Sequence, residues 1–143
     1  MRDLHNNIKL ASSLIPAVTL AARAGAPVDR RGFQSVDYLV LVGTNGNALS
    51  ASVKLELKIE TSEDGTNWTP VTDSRLVQGA SVTAVGIFLS LDAAAKTAQE
   101  YRLGLLGNDR YSRVSIVVTG THATGTPIGV VALLSHASVK PAA

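Results

Sequence analysis

Residues 51–61 alternate between apolar and charged side chains, and this pattern restricts the possible folds more than any other feature of the sequence. The apolar positions are Val53, Leu55, Leu57 and Ile59, and the charged positions are Lys54, Glu56, Lys58 and Glu60. Successive side chains of a β-strand point to opposite faces, so such a strand presents one apolar face and one charged face. The segment therefore predicts a half-buried strand whose outer Lys and Glu side chains pair with one another.

Other apolar runs in the chain are short, and most of them end at turn-forming residues, as strands of a sheet do. They span residues 17–25, 36–43, 80–91, 101–107, 113–120 and 128–135. Asp64-Gly65 ends the alternating strand, and its glycine permits the positive φ of a tight turn, so we predict a hairpin that resumes at Trp68. About seven or eight short strands at regular spacing predict an all-β fold, an antiparallel β-sandwich of the jelly-roll or immunoglobulin-like type.

Two segments depart from the strand pattern. Residues 92–99 are rich in alanine and begin at Asp92, which is suited to cap a helix, so they predict one short helix. Residues 1–16 carry scattered apolar side chains between polar residues and Pro16, and they predict an N-terminal arm that is either extended or a short helix. Residues 17–143 are then expected to form a single β-sandwich domain, which is long enough to bury a core without disulfides.

The composition excludes several classes of site and partner. The chain has no cysteine, so it contains no disulfide and no cysteine-ligated metal, as is usual for proteins made in a reducing cytoplasm. Its net charge of +2 is not concentrated in one segment, and we therefore expect no nucleic-acid-binding face. No apolar run approaches the roughly 18 residues of a membrane-spanning helix. Residues 1–26 resemble a secretory signal, but Asp3 and Arg23 are poorly placed for one, so we expect no cleaved leader.

No residue pattern predicts catalysis or metal binding. The histidines of the chain are His5, His122 and His136. None of them has a second metal ligand at a typical spacing, and Ser135 lacks the Gly-x-Ser-x-Gly context of a hydrolase nucleophile. Glu60, Glu63 and Asp64 lie close together in sequence, yet their place near a hairpin tip favours solvated carboxylates over a glycosidase pair. We therefore expect that the protein is not an enzyme and binds no metal or other cofactor.

Trp68 is the only tryptophan of the chain, and two interpretations of it remain open. The first is a lid that covers one end of the core. The second is a carbohydrate site in which the indole stacks on a sugar ring and the neighbouring Asp64 and Asn67 form hydrogen bonds with its hydroxyl groups. The second interpretation requires an exposed indole face.

Three motifs occur in a defined order along the chain. Residues 29–35 fit the pattern D-x-x-G-F/Y-x-S before a buried strand, and residues 62–68 fit S-x-D-G-x-x-W at a hairpin. Residues 110–113 fit R-Y-x-R before a late strand. The ordered set of motifs, which is more specific than any one of them, resembles that of small structural proteins of tailed bacteriophages and gene transfer agents, and the similarity extends over approximately residues 4–141.

The resemblance implies a virion protein on the capsid surface, made in the cytoplasm of a bacterial host, that binds the assembled shell as a decoration or minor head protein. Its expected partners are the major capsid protein or other virion proteins, together with copies of itself in a symmetric oligomer, for which we expect a trimer. Phe33 and Tyr38 are then core or interface anchors, and Arg110, Tyr111 and Arg113 contact a neighbouring chain. An internal ion pair with packing explains the last three residues equally well. The alternative function is a carbohydrate-binding module on a virion head spike, fibre or tail.

Overall fold

Side chains along the long strands alternate between buried and exposed, and this alternation builds two β-sheets that pack face to face. The computed structural model describes residues 3–140 and 142, which contain ten strands and three single-turn 3-10 helices. The strands are β1 (Ile8–Thr19), β2 (Val28–Asp29), β3 (Phe33–Val42), β4 (Lys54–Ser62), β5 (Thr69–Pro70), β6 (Val77–Gln78), β7 (Ile87–Leu91), β8 (Gln99–Leu105), β9 (Tyr111–Thr119) and β10 (Thr126–Ala137). The 3-10 helices are η1 (His5–Asn7), η2 (Ser74–Leu76) and η3 (Ala94–Lys96).

All the strand pairs are antiparallel, and the prediction of an all-β sandwich is confirmed. Sheet A has the strand order β1-β10-β3-β8-β6, and sheet B has the order β2-β9-β4-β5. The alternating segment forms β4 near the centre of sheet B, where β9 occupies one of its edges and β5 and β7 share the other. Seven of the strands contain five or more residues, in agreement with the expected number, and β2, β5 and β6 contain two residues each.

Aliphatic side chains from both sheets fill the space between them. β4 contributes Leu55, Leu57 and Ile59, the apolar half of the alternating segment, and all three are fully buried. Tyr38 of β3 is buried in the same core, and its hydroxyl shares a hydrogen bond of 2.7 Å with Ser112 Oγ of β9. Burial raises the pKa of Tyr38 above its ordinary value. The phenol therefore stays protonated, and its hydrogen bond joins the two sheets across the core.

The prediction of a helix over residues 92–99 is wrong, because the segment contains only the single 3-10 turn η3. Asp92 does not cap this turn, and its carboxylate instead forms an ion pair of 2.7 Å with Lys96. Ala98 has a positive φ of 53°, which ends the turn immediately before β8 begins. Among the described residues, no helix has the length and apolar character needed to cross a lipid bilayer.

The structure also changes the interpretation of the N terminus. β1 begins at Ile8 and pairs with β10 along most of its length, so residues 8–16 belong to sheet A and not to an arm outside the sandwich. The register shifts between Ser12 and Leu14 and again between Leu14 and Ala17. Such bulges interrupt the alternation of side chains, which is why this strand was not recognisable from its sequence pattern.

Candidate functional site

The outer side of sheet A carries an apolar surface, here called the A face, made by Leu10, Leu39, Leu41, Val131 and Leu133. Cross-strand partners lie on the same face of a sheet, and the register pairs Leu10 with Leu133 and Leu39 with Val131. Leu10 is 62% exposed and Leu41 is 55% exposed, whereas the other three are half-buried. The A face therefore presents aliphatic side chains from three adjacent strands to the surroundings of the protein.

Continuous apolar runs in β3 and β10 produce the A face. Val40 and Val42 of β3 point into the core, while the alternate residues Leu39 and Leu41 point outward. A strand with one solvent-exposed face normally alternates between apolar and polar residues, as β4 does. A strand that is apolar on both faces normally has both faces covered. This signal is present in the apolar runs at residues 36–43 and 128–135, which by themselves predict strands but not which of their side chains stay exposed.

β1 forms one edge of sheet A, and the chain itself covers half of that edge. The N–H of Ala26 donates to the carbonyl of Ser13 at 2.7 Å, and Arg23 Nη2 donates to the carbonyl of Ile15 at 2.6 Å. The segment that follows β1 thus folds back over the second half of the strand. Within the described residues, no backbone hydrogen bond except the pairing with β10 involves residues 8–12. These five residues are called the open edge below.

The outer side of sheet B differs from the A face, because its charges are satisfied within the chain. Glu60 is buried and accepts hydrogen bonds from Arg113 at 2.8 Å and from Ser115 at 2.9 Å, and Lys58 Nζ lies 2.6 Å from its carboxylate. Burial alone would raise the pKa of Glu60, but the hydrogen bonds outweigh this effect and hold its pKa below the ordinary value. Arg113 also lies over the ring of Trp68, 4.1 Å from its centroid.

The five residues expected at an interface lie in different environments. Phe33 is half-buried at the start of β3, and Tyr38 is fully buried, so the ring of Tyr38 is a core anchor that no other chain can contact in this fold. Arg110 donates two hydrogen bonds to Asp29, at 3.1 and 2.7 Å, and lies 4.7 Å from the centroid of the Tyr111 ring.

The R-Y-x-R motif is therefore engaged in internal ion pairs, which was one of the two explanations left open for it. Arg113 is bound to Glu60, and Arg110 is bound to Asp29. The side chain of Arg110 nevertheless remains 44% exposed. The motif holds β9 to its neighbours, and Arg110 is the member that keeps the most accessible surface.

The polar groups expected to bind a carbohydrate are used inside the hairpin turn. Asp64 accepts hydrogen bonds from the N–H groups of Thr66 and Asn67, both at 2.8 Å, and from Asn67 Nδ2 at 2.6 Å. These hydrogen bonds, the one from the Asn67 N–H above all, hold the pKa of Asp64 far below its ordinary value. A groove of about 530 Å³ beside the hairpin is lined by Asp64 and Asn67, and Trp68 is not among its lining residues. The three residues do not converge on one cleft.

The histidines are also separated from one another. His136 Nδ1 lies 2.9 Å from Ser35 Oγ, and the buried His122 has its Nε2 atom 3.1 Å from the carbonyl of Thr119. His5 is exposed in η1. In residues 3–140 and 142, no group of three or more His, Asp or Glu side chains is arranged to hold a metal ion.

Comparison with known proteins gives no family. No family model matches the sequence, and no curated protein matches it. Among solved structures, the SPBc2 prophage-derived protein YomS is similar at 13% identity and a TM-score of 0.49, with 90% of this chain and 92% of that chain covered. A Bacillus endospore appendage protein, from disulfide-linked pili, is similar at 14% identity and a TM-score of 0.42, with 92% and 90% covered.

A third similar structure contains the CBM22-1 and GH10 modules of Clostridium thermocellum xylanase 10B in complex with xylohexaose. It matches at 11% identity and a TM-score of 0.46, with 97% of this chain but 28% of that chain covered. At these identities and TM-scores, the similarities carry no argument about function. The assignment of a β-sandwich rests on the strand pairing described above.

Proposed function

We propose that this chain is a structural component of a phage-like virion that binds the assembled capsid as a decoration or minor head protein. The observation that carries the proposal is the A face, an apolar sheet surface on which Leu10 and Leu41 are more than half exposed. The ordered motifs at residues 29–35, 62–68 and 110–113 support the same proposal through their resemblance to head proteins.

An uncovered apolar sheet is suited to contact another folded protein. It offers a broad area without a deep cleft, and burying aliphatic side chains contributes roughly 25 cal/mol per Å² before the cost of association is subtracted. A subunit that binds only the assembled shell shifts the equilibrium towards that shell. The partner in this proposal is the major capsid protein or a neighbouring virion protein, and the location is the capsid surface, which the chain reaches after synthesis in the host cytoplasm.

Co-sedimentation with particles tests the proposal. The tagged chain is expressed in the bacterial host that, under this proposal, produces the particles, and the particles released are separated from free protein on a density gradient. We expect many copies of the chain in the particle fractions. Leu41→Lys should reduce its recovery there by about tenfold or more, because a charge would be buried against the shell. This variant should still fold, since Glu100 lies opposite residue 41 on β8 and can pair with the lysine.

Val85→Lys provides the matched control. Val85 is 59% exposed, but it lies in the loop before β7 and not on the A face. Its replacement should leave co-sedimentation unchanged. The proposal is refuted if the wild-type chain remains in the soluble fractions, or if the two lysine variants co-sediment equally well.

The carbohydrate-binding alternative is favoured by one observation, the groove of about 530 Å³ with Asp64 and Asn67 in its wall. Arg113 covers one face of Trp68, so a sugar ring would have to stack on the opposite face. A glycan array with the wild type, Trp68→Ala and Asn67→Ala tests this function. Binding that both substitutions abolish would replace the capsid proposal with this one, and the absence of glycan binding removes the alternative.

A further inference from the structure

We propose that the open edge, residues 8–12, pairs in antiparallel orientation with the same segment of a second copy of this chain. Two copies of sheet A then form one continuous sheet of ten strands. This goes beyond binding to a capsid, because the contact forms between isolated molecules in solution. It also replaces the trimer expected from the resemblance with a two-fold dimer.

The open edge lacks the features that normally prevent strands from pairing with other chains. Proteins protect an edge by bulges, proline, charged side chains or a very short strand. The second half of β1 has two bulges, Pro16 and the covering segment after the strand. Of these protective features, residues 8–12 have only one, the charged side chain of Lys9. The opposite edge of sheet A is β6, which contains two residues, so the open edge is the longer unprotected edge of this sheet.

A two-fold axis gives the open edge a complete partner. All five residues pair with an antiparallel copy when Leu10 lies opposite the second copy's Leu10. In a two-fold contact both copies use the same patch, so the free backbone groups of each open edge are paired by those of the other. Leu10 already lies beside Leu133, so the axis places four leucines in one row on the outer side of the joined sheet. Asp37 follows Leu133 in this row, and its charge is neutralised by Arg102 at 2.5 Å.

Lys9 is the one unfavourable element of this pairing. It lies opposite the second copy's Ala11, so the two lysines are diagonal neighbours, about 7–8 Å apart at the backbone. Their repulsion is screened by salt. The dimer should therefore become tighter as ionic strength rises, in contrast to an interface held together by ion pairs.

The area of the contact predicts a weak dimer. The strongly exposed aliphatic side chains nearest to the open edge in sequence are Leu4 at 60%, Leu10 at 62% and Ile15 at 65%. Together they expose roughly 200 Å² of apolar surface, at about 100 Å² for each fully exposed side chain. A stable interface buries about 800 Å² on each partner. We therefore expect association between micromolar and millimolar concentrations, strengthened where many copies are held close together on a shell.

Sedimentation velocity of the purified full chain tests the dimer. The average mass should rise with concentration from the monomer mass of 14.9 kDa towards twice that value. Leu10→Lys should require about tenfold higher concentration for the same fraction of dimer, because it places two further charges at the axis. Val85→Lys should behave as the wild type, since Val85 is equally exposed but lies outside sheet A.

Hydrogen exchange gives a second readout that does not depend on the folding of a variant. Amides of residues 8–12 that point away from β10 should exchange rapidly at low concentration and become protected in step with the increase in mass. A mass that stays monomeric up to millimolar concentration overturns the proposal, as does a trimer. A dimer whose open edge remains unprotected also overturns it. Particle association is measured separately, so either proposal can fail while the other stands.

Discussion

Replacing Tyr38 with phenylalanine removes one hydroxyl group from the core and leaves the ring in place. This hydroxyl shares a hydrogen bond of 2.7 Å with Ser112 Oγ, and both residues are 0% exposed, so water does not replace the lost partner. A buried polar group without a partner costs about 1–3 kcal/mol. We expect Tyr38→Phe to lower the free energy of unfolding by about this amount, mainly through the unsatisfied hydroxyl of Ser112.

A double-mutant cycle separates the hydrogen bond from other effects. Ser112→Ala leaves the hydroxyl of Tyr38 unpaired and should have a cost similar to that of Tyr38→Phe. The double variant leaves neither group unpaired, so it should be more stable than the sum of the two single effects predicts, by about 1 kcal/mol. Urea denaturation, followed by the fluorescence of Trp68, measures all four proteins under the same conditions.

The same hydroxyl predicts a loss of stability at high pH. Burial raises the pKa of Tyr38 in the folded protein, although the hydrogen bond from Ser112 and the charge of Arg30 oppose this shift. A tyrosine in the unfolded chain ionises near pH 10. Its contribution to stability is therefore complete below about pH 10 and is lost as pH rises above that value, because only the unfolded state then releases the proton.

We expect wild type and Ser112→Ala, which both keep the phenol, to lose stability more steeply above about pH 10 than Tyr38→Phe does. Equal alkaline slopes in the three proteins would refute the argument that Tyr38 is buried and protonated. A cost below about 0.5 kcal/mol for Tyr38→Phe would refute the hydrogen bond itself.

Two further substitutions test the packing of sheet B. Gly25→Ala should destabilise the protein by about 1–3 kcal/mol in thermal or urea denaturation, because the added Cβ would collide with the backbone carbonyl of Val114; an unchanged midpoint would contradict this close approach. The pKa of Glu60 is lower in the folded protein than in the unfolded chain, so its carboxylate contributes stability that is complete above about pH 4.3 and is lost as pH falls through the folded pKa. Glu60→Gln removes this contribution, so the variant should lose less stability on acidification than the wild type does. Parallel acid profiles of Glu60→Gln and wild type would show that the carboxylate is not held by its partners.

The central strands could be predicted because their patterns are local. Residues 51–61 alternate without interruption, and β4 covers residues 54–62 with Leu55 and Leu57 fully buried, as that alternation requires. The hairpin was also predicted from adjacent residues, since the turn after β4 depends on Asp64 and Gly65 themselves. In both places the local preference and the final structure agree.

The helix prediction failed because tertiary contacts outweigh the preference of alanine for helices. An isolated helix of eight residues is unstable in water, so its surroundings decide its conformation. Here Thr97 Oγ1 lies 2.9 Å from Asn45 Oδ1 and 2.7 Å from the carbonyl of Ala94, and its one hydroxyl hydrogen is shared between these two acceptors, which holds the segment as a turn. Asn45 is far away in sequence, and no local pattern could reveal it.

The candidate site could be predicted only in part, for the same reason. The motif at residues 110–113 was recognised, but its partners Asp29 and Glu60 come from distant strands and became known only from the fold. The A face combines β1, β10 and β3, and its existence depends on which face of each strand points outward. The open edge depends on the segment that covers the rest of β1, which no pairing rule predicts.

The position of β10 determines when sheet A can form. This strand ends at Ala137, far along the sequence from β1 and β3, yet it lies between these two strands and forms hydrogen bonds with both. During synthesis, β1 therefore has no neighbour in its sheet until residues 126–137 have left the ribosome. Pairings this distant in sequence form slowly. The open edge and its single leucine, Leu10, are thus exposed for longest in the nascent chain, where neighbouring chains can associate prematurely.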